Sequence, residues 1–206
     1  AGVVLDAEGD HGLGRDAAGV FEGARVRGDE GEETRGERQD QCNENESERD
    51  DAAAPVEVRF EGRGNTEGDA VVWLPRQRIL VAGDLVVAPI PYMFDVYPTE
   101  NLETLERLRA YNAQLIIPGH GAPLQGSVYL DQLIAFMREV QTQTRMLADR
   151  GLTLEQTIAQ VQLEPFAQAF AGNDPWLRAW FRDYAATPLI ESNYREIRGQ
   201  PLGPAP

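Results

Sequence analysis

The sequence predicts an α/β (α+β) fold, and three observations predict it. Short β-branched runs bounded by turn residues stand at Val56–Phe60, Ala70–Leu74 and Arg78–Gly83. Apolar residues recur at helical spacing from about Glu100 to Asn112 and from Val128 to Arg150. The 206 residues are 42% hydrophobic, which is enough for one domain with a sizeable core.

The first part of the chain differs from the rest. Residues 1–55 hold 16 Asp and Glu against 6 Arg, and Gly28 to Asp51 contains no aliphatic or aromatic residue. Such a stretch cannot bury enough apolar surface to offset its ordering entropy. Residues 1–54 are therefore expected to be an acidic, low-complexity part, partly disordered, with short apolar runs at Val3–Leu5 and Val20–Phe21. Residues 55–206 are expected to be the ordered part.

Within it, "VEVRF" alternates as a half-buried strand should. "AVVWL", Pro75–Gln77 and "RILVAG" form a hairpin, and the β-branched second strand suits burial on both faces. "APIPYMFDVYP" is too proline-rich to be other than a loop. Thr99 is placed to cap the helix carrying Leu102, Leu105 and Leu108. "LIIPGHG" is a short strand running into a loop. The helix from Val128 carries Leu130, Leu133, Ile134, Met137, Val140 and Met146, and Gly151 stops it. Thr153 to Gln156 has capping-box spacing. Asp174 to Gly199 reads as two helical pieces, with Trp176, Trp180, Phe181 and Tyr184 on apolar faces, as core or interface.

Composition excludes several functions. The net charge is −15 and no basic cluster is present, so neither nucleic acid nor an anionic membrane surface is expected as a partner. All 19 basic residues are Arg, which excludes Schiff-base chemistry and a Lys-dependent phosphate loop. The single cysteine, Cys42, permits no internal disulfide. No apolar run approaches membrane-span length, and no basic-then-apolar leader is read at the N-terminus; the compartment stays unassigned.

Two apolar runs end on residues that carry chemistry: "LVAGD" on Asp84 and "IIPGH" on His120. Both residues sit beside Gly, which lets the backbone turn sharply and approach closely. A carboxylate can bridge cations and a neutral imidazole is a common zinc ligand. Either residue could equally be turn punctuation.

A third piece, "GRGNTEGDAVVWLP", precedes them. With it, the stretch from Val56 to Leu124 closely resembles the C-terminal half of metallo-β-lactamase-fold hydrolases, whose turn usually reads Gly-x-x-His-Thr-x-Gly-Asp, followed by Gly-Asp and Pro-Gly-His-Gly. The resemblance implies a four-layer αββα sandwich with metal ions, usually zinc, at the sheet edges. It implies Asp84 as the bridging carboxylate and His120 as a ligand of the second metal. Asn65 stands where the family usually has His, and an amide oxygen is the weaker zinc ligand.

Upstream, the family motif His-x-His-x-Asp-His has one counterpart here, "DAEGDH": Asp6 and Glu8 replace the first two His, while Asp10 and His11 keep the pair. An acidic loop with a chance Asp-His pair reads the same way. The resemblance thus implies Asp84, His120, His11, Asp10 and Asn65 as metal ligands, Asp84 and Asp10 as catalytic carboxylates, and a sandwich truncated in its N-terminal part.

Three readings follow. One is a zinc-dependent hydrolase using metal-bound hydroxide on a small-molecule substrate, impaired at its first metal site. Another is an inactive remnant or an oligomerising binding module of the same fold. In the third, residues 1–55 come from a displaced start or reading frame.

Overall fold

The computed structural model describes residues 55–202. The residues read as Asp6, Glu8, Asp10 and His11, with the acidic part around them, lie outside the described residues.

Four strands follow the sequence closely: β1 (Glu57–Phe60), β2 (Ala70–Leu74), β3 (Ile79–Val87) and β4 (Leu115–His120); a short β5 (Leu124–Gln125) follows β4. They form one sheet in the order β1-β2-β3-β4-β5. Neighbours are antiparallel except β3 and β4, which are parallel. A parallel pair needs a crossover, and α1 (Pro98–Ala110) provides it. After β5 come α2 (Val128–Asp149), α3 (Leu154–Gln160), α4 (Glu164–Ala171), α5 (Pro175–Trp180), a π-helical turn (Phe181–Ala186) and α6 (Thr187–Ile197). The fold is α+β. Among the described residues, no helix is long and apolar enough to cross a membrane.

The core lies between one face of the sheet and the helices. Trp73, Leu80 and Ile116 form a cross-strand row on that face, and all three are buried. They join Leu105 and Leu108 of α1, Leu133 and Phe136 of α2 and Leu189 of α6 in one apolar cluster. Phe136 is its aromatic centre, with ring centroids of Phe166, Phe170 and Phe181 at 5.7, 5.8 and 5.3 Å.

The other face does not fit the expectation of a hairpin buried on both sides. The next row, Val58–Val72–Val81–Ile117, is wholly apolar. Its middle members are half-buried, and Val58 is 71% exposed. β1 shows the alternation the sequence predicts, yet Val56, Val58 and Phe60 point away from the helices and Glu57 shares the row of Trp73. Period-2 patterning gives the two faces of a strand but not which one meets the core. The described residues thus form a sheet layer and a helical layer, two of the four layers implied by the resemblance.

Three local readings are corrected. The first crossover helix begins at Pro98 with Tyr97 as its N-cap residue, not at Thr99. Proline suits the first helical position because that N–H has no intrahelical acceptor. The Thr99 hydroxyl instead donates to Glu196 of α6 at 2.7 Å. Met146 lies on the solvent side of α2, at 53% exposure. Helix α4 lacks a counterpart in the sequence reading, although Pro165 near its start and Gly172 after its end frame it. The capping box at Thr153 and Gln156 is present, with both reciprocal bonds made.

Tyr111, at the end of α1, packs edge-on against Trp73 with centroids 5.0 Å apart and donates its hydroxyl hydrogen to Glu61. Burial first, and the Glu61 carboxylate second, push its pKa up to about 12. Burial likewise raises Tyr129 and Tyr97. An unfolded tyrosine ionises near ~10, so the folded state holds these phenols neutral after the unfolded chain would release its protons. For Tyr111 the stabilisation is complete below pH ~10 and is lost as pH rises through about 12. Urea midpoints should fall steadily over that window, and Tyr111→Phe should flatten the fall. An unchanged slope in the variant would show that Tyr111 does not carry it.

Candidate metal centre

The site grows from an irregularity in the β3–β4 ladder. The apolar run does not stop at Asp84 as the sequence suggests; β3 continues to Val87. The register slips between Val81 and Gly83 and again between Gly83 and Val87. Gly83 takes φ 55°, a left-handed conformation costly for any side chain with a Cβ. After this bulge the alternation breaks: Asp84 is exposed, while Leu85 and Val86 are both buried. The bulge turns one carboxylate out of a buried strand without ending it.

The end of β4 closes over the same spot. A Cβ on Gly119 would strike the Asp84 carboxylate, and would lie 2.8 Å from the Asp84 backbone nitrogen. Glycine is what allows the "PGHG" segment to pass this closely. His120 follows, with its Nε2 3.5 Å from Asp84 Oδ1. The Ala88 N–H donates to the His120 carbonyl at 3.0 Å, which fixes the next loop to the strand end.

Asn65 comes from the turn between β1 and β2. Thr66 and Asp69 hold that turn through two 2.8 Å bonds, one from the Thr66 N–H and one from its hydroxyl. Asn65, Asp84 and His120 line one pocket of about 660 Å³. Among the described residues, the Oδ1 of Asn65 is buried without a hydrogen-bond partner. Leaving a buried acceptor unmatched costs on the order of 1–3 kcal/mol, so this atom is suited to a donor or a cation. The set is an imidazole nitrogen, a carboxylate and a free amide oxygen, and it fits a single divalent cation with open positions. It is thinner than the ligand set implied by the resemblance. Among the described residues, no three His, Cys, Asp or Glu side chains gather to hold a metal.

The rest of the wall comes from the 88–92 loop and from Trp180 and Tyr184. Tyr129 of α2 pins that loop, its hydroxyl lying 2.5 Å from the Val87 carbonyl and 3.2 Å from that of Pro89. The prolines identify this segment in the sequence as a loop; nothing there marks Tyr129, Trp180 or Tyr184 as its partners in a wall. Trp176, Trp180 and Tyr184 recur every fourth residue, which marks a stripe. A buried stripe and an exposed one have the same period.

Residues 28–120 match the family model of the metallo-β-lactamase superfamily. Over this segment the chain is similar to the metallo-β-lactamase superfamily. It is 26% identical over 124 residues to a linear primary-alkylsulfatase of Pseudomonas sp. (strain ATCC 19151), covering 55% of this chain and 23% of that protein. It is 38% identical over 72 residues to a metallo-beta-lactamase type 2 of Bacillus sp. (strain 170), covering 32% of this chain and 28% of that one. A solved structure of a double mutant of the sec-alkyl sulfatase PisA1 superposes with a TM-score of 0.52 at 16% identity, over 68% of this chain and 24% of that one, a likeness of fold alone. The chain thus spans about a quarter of the length of the curated relatives it matches. The matched segment ends at His120 and includes all three pocket donors.

Proposed function

We propose that this chain carries part of a zinc-dependent hydrolase site, acting on a small-molecule ester, amide or related group. The observation that carries the proposal is the unmatched Asn65 Oδ1 in the pocket shared by Asp84 and His120. The relatives that match this segment are named as hydrolases, which supports the reaction class. Asn65, Asp84 and His120 would hold the ion. When bound, zinc lends Lewis acidity, polarising an acyl, phosphoryl or sulfuryl oxygen and lowering the pKa of water. The chain's own part is positional. The bulge at Gly83 aims the carboxylate, Gly119 of β4 brings His120 beside it, and Tyr129 keeps the loop wall in place.

The thin donor set favours a second reading, a metal-binding module of the same fold without turnover. One experiment separates the two. Chromogenic acyl, phosphate and sulfate esters and a β-lactam are offered to the zinc-loaded chain, to the chelated chain and to His120→Ala. A hydrolase loses turnover on chelation and in the variant. Stoichiometric zinc without zinc-dependent turnover of any class leaves the binding module. Absence of bound zinc sinks both.

A further inference from the structure

The pocket opens onto a row of exposed aromatic rings that no step above uses. Tyr92 and Phe94 of the loop lie with centroids 5.1 Å apart. Tyr184, on the π-helical turn, stands 6.5 Å from Tyr92 and 5.7 Å from Phe94. Trp180 is 6.1 Å beyond Tyr184, and Trp176 is 6.2 Å beyond Trp180. All five are between 38% and 73% exposed. Large rings in sequence-adjacent helices normally turn inward, so an exposed ridge of five is unusual for a lone surface and usual for a binding one.

Two features tie this ridge to the pocket. The Met93 N–H donates to the Tyr184 carbonyl at 2.9 Å, so the loop and the π-turn are held as one wall. π-turns free backbone carbonyls for such contacts and are frequent at functional sites. Tyr92, Trp180 and Tyr184 also line the pocket itself, together with Pro89, Ile90 and Pro91. The result is a slot whose wall combines proline, isoleucine and aromatic rings with Asp84 and His120.

The slot's chemistry defines its ligand. Among the described residues, Asp84 is the one formally charged side chain in the lining, and no Arg lines it. An anionic group would meet a carboxylate and no cation. A flexible aliphatic chain would fill the volume but lose roughly 0.5–1.5 kcal/mol for each ordered rotor-rich group. A flat ring loses little and gains the offset or edge-to-face pairing that only aromatic partners offer.

We infer that the slot binds a neutral, planar aromatic group of the ligand, with the reacting group directed at Asp84 and His120. The direction of the reacting group rests on the proposed metal site; ring binding itself needs no metal. Isothermal titration calorimetry on the metal-free full chain tests it with 2-naphthalenemethanol, 1-octanol and 2-naphthoate. The neutral naphthyl alcohol should bind at least about threefold more tightly than octanol and than the naphthoate anion. Trp180→Ala and Tyr184→Ala should each weaken it about fivefold or more, and Trp180→Phe should restore most of the loss. Ring binding by the metal-free chain and zinc binding by the same chain are measured separately, so failure of the metal site and failure of the slot are told apart. Octanol binding as tightly as the naphthyl alcohol overturns the inference, as does indifference to Trp180→Ala in a variant whose circular dichroism matches the parent.

Discussion

On the proposed site, zinc affinity should fall by about a hundredfold or more when Asp84 is replaced by alanine. A three-donor site that loses its anionic member keeps only two neutral donors, and zinc sites are seldom held by fewer than three protein ligands. Among the described residues, Asp84 is the one carboxylate in the pocket lining, so no described neighbour in the lining can take its place. Asn65→His should move affinity the other way, by about tenfold, because imidazole is the better zinc donor than an amide oxygen. Competition against a chromogenic chelator measures both. The 16 acidic residues of 1–55 make a control necessary, since carboxylate-rich chain can hold zinc loosely. If Asp84→Ala binds as the parent does, the zinc is bound elsewhere and the proposed centre is wrong.

Phe136→Ala should cost about 3–5 kcal/mol of stability. The ring is fully buried and touches aromatic partners from α4 and the π-turn as well as its own helix layer. Phe170 and Phe181, which would line the cavity, stack on each other at 5.8 Å and cannot both move in to fill it. Against a typical total of ~5–15 kcal/mol, the loss is a large fraction, and the variant would be marginal at 37 °C. Phe136→Leu should recover much of it by restoring volume. Urea unfolding of both variants measures this. A cost under about 1.5 kcal/mol for the alanine would mean that the helical layer collapses readily onto the sheet.

Much of the site was legible because its parts are short and local. Gly83-Asp84 and Pro118-Gly119-His120 each announce a sharp turn beside a chemically able side chain, and the structure brings both together with Asn65. The bulge was not legible, because continuing a strand past a left-handed glycine is decided by the partner strand, not by the run itself. Burial on both sheet faces was also misread. A β-branched run records compatibility with burial, while the covering layer is supplied by other parts of the chain. Trp180 and Tyr184 were read as apolar helix faces for the same reason. Their period was right, but their exposure depended on how α5 and the π-turn meet the loop.

The kink at Gly83 has a wider consequence. Because the backbone at Gly83 turns Asp84 outward, the carboxylate's position rests on the two glycines at 83 and 119 more than on the larger side chains around it. Neighbouring positions such as 65 can then be exchanged with little effect on the framework, and ligand identity becomes a separate variable from folding. A scaffold of this kind can drift from one metal preference to another through single substitutions, or be re-equipped deliberately by the same route.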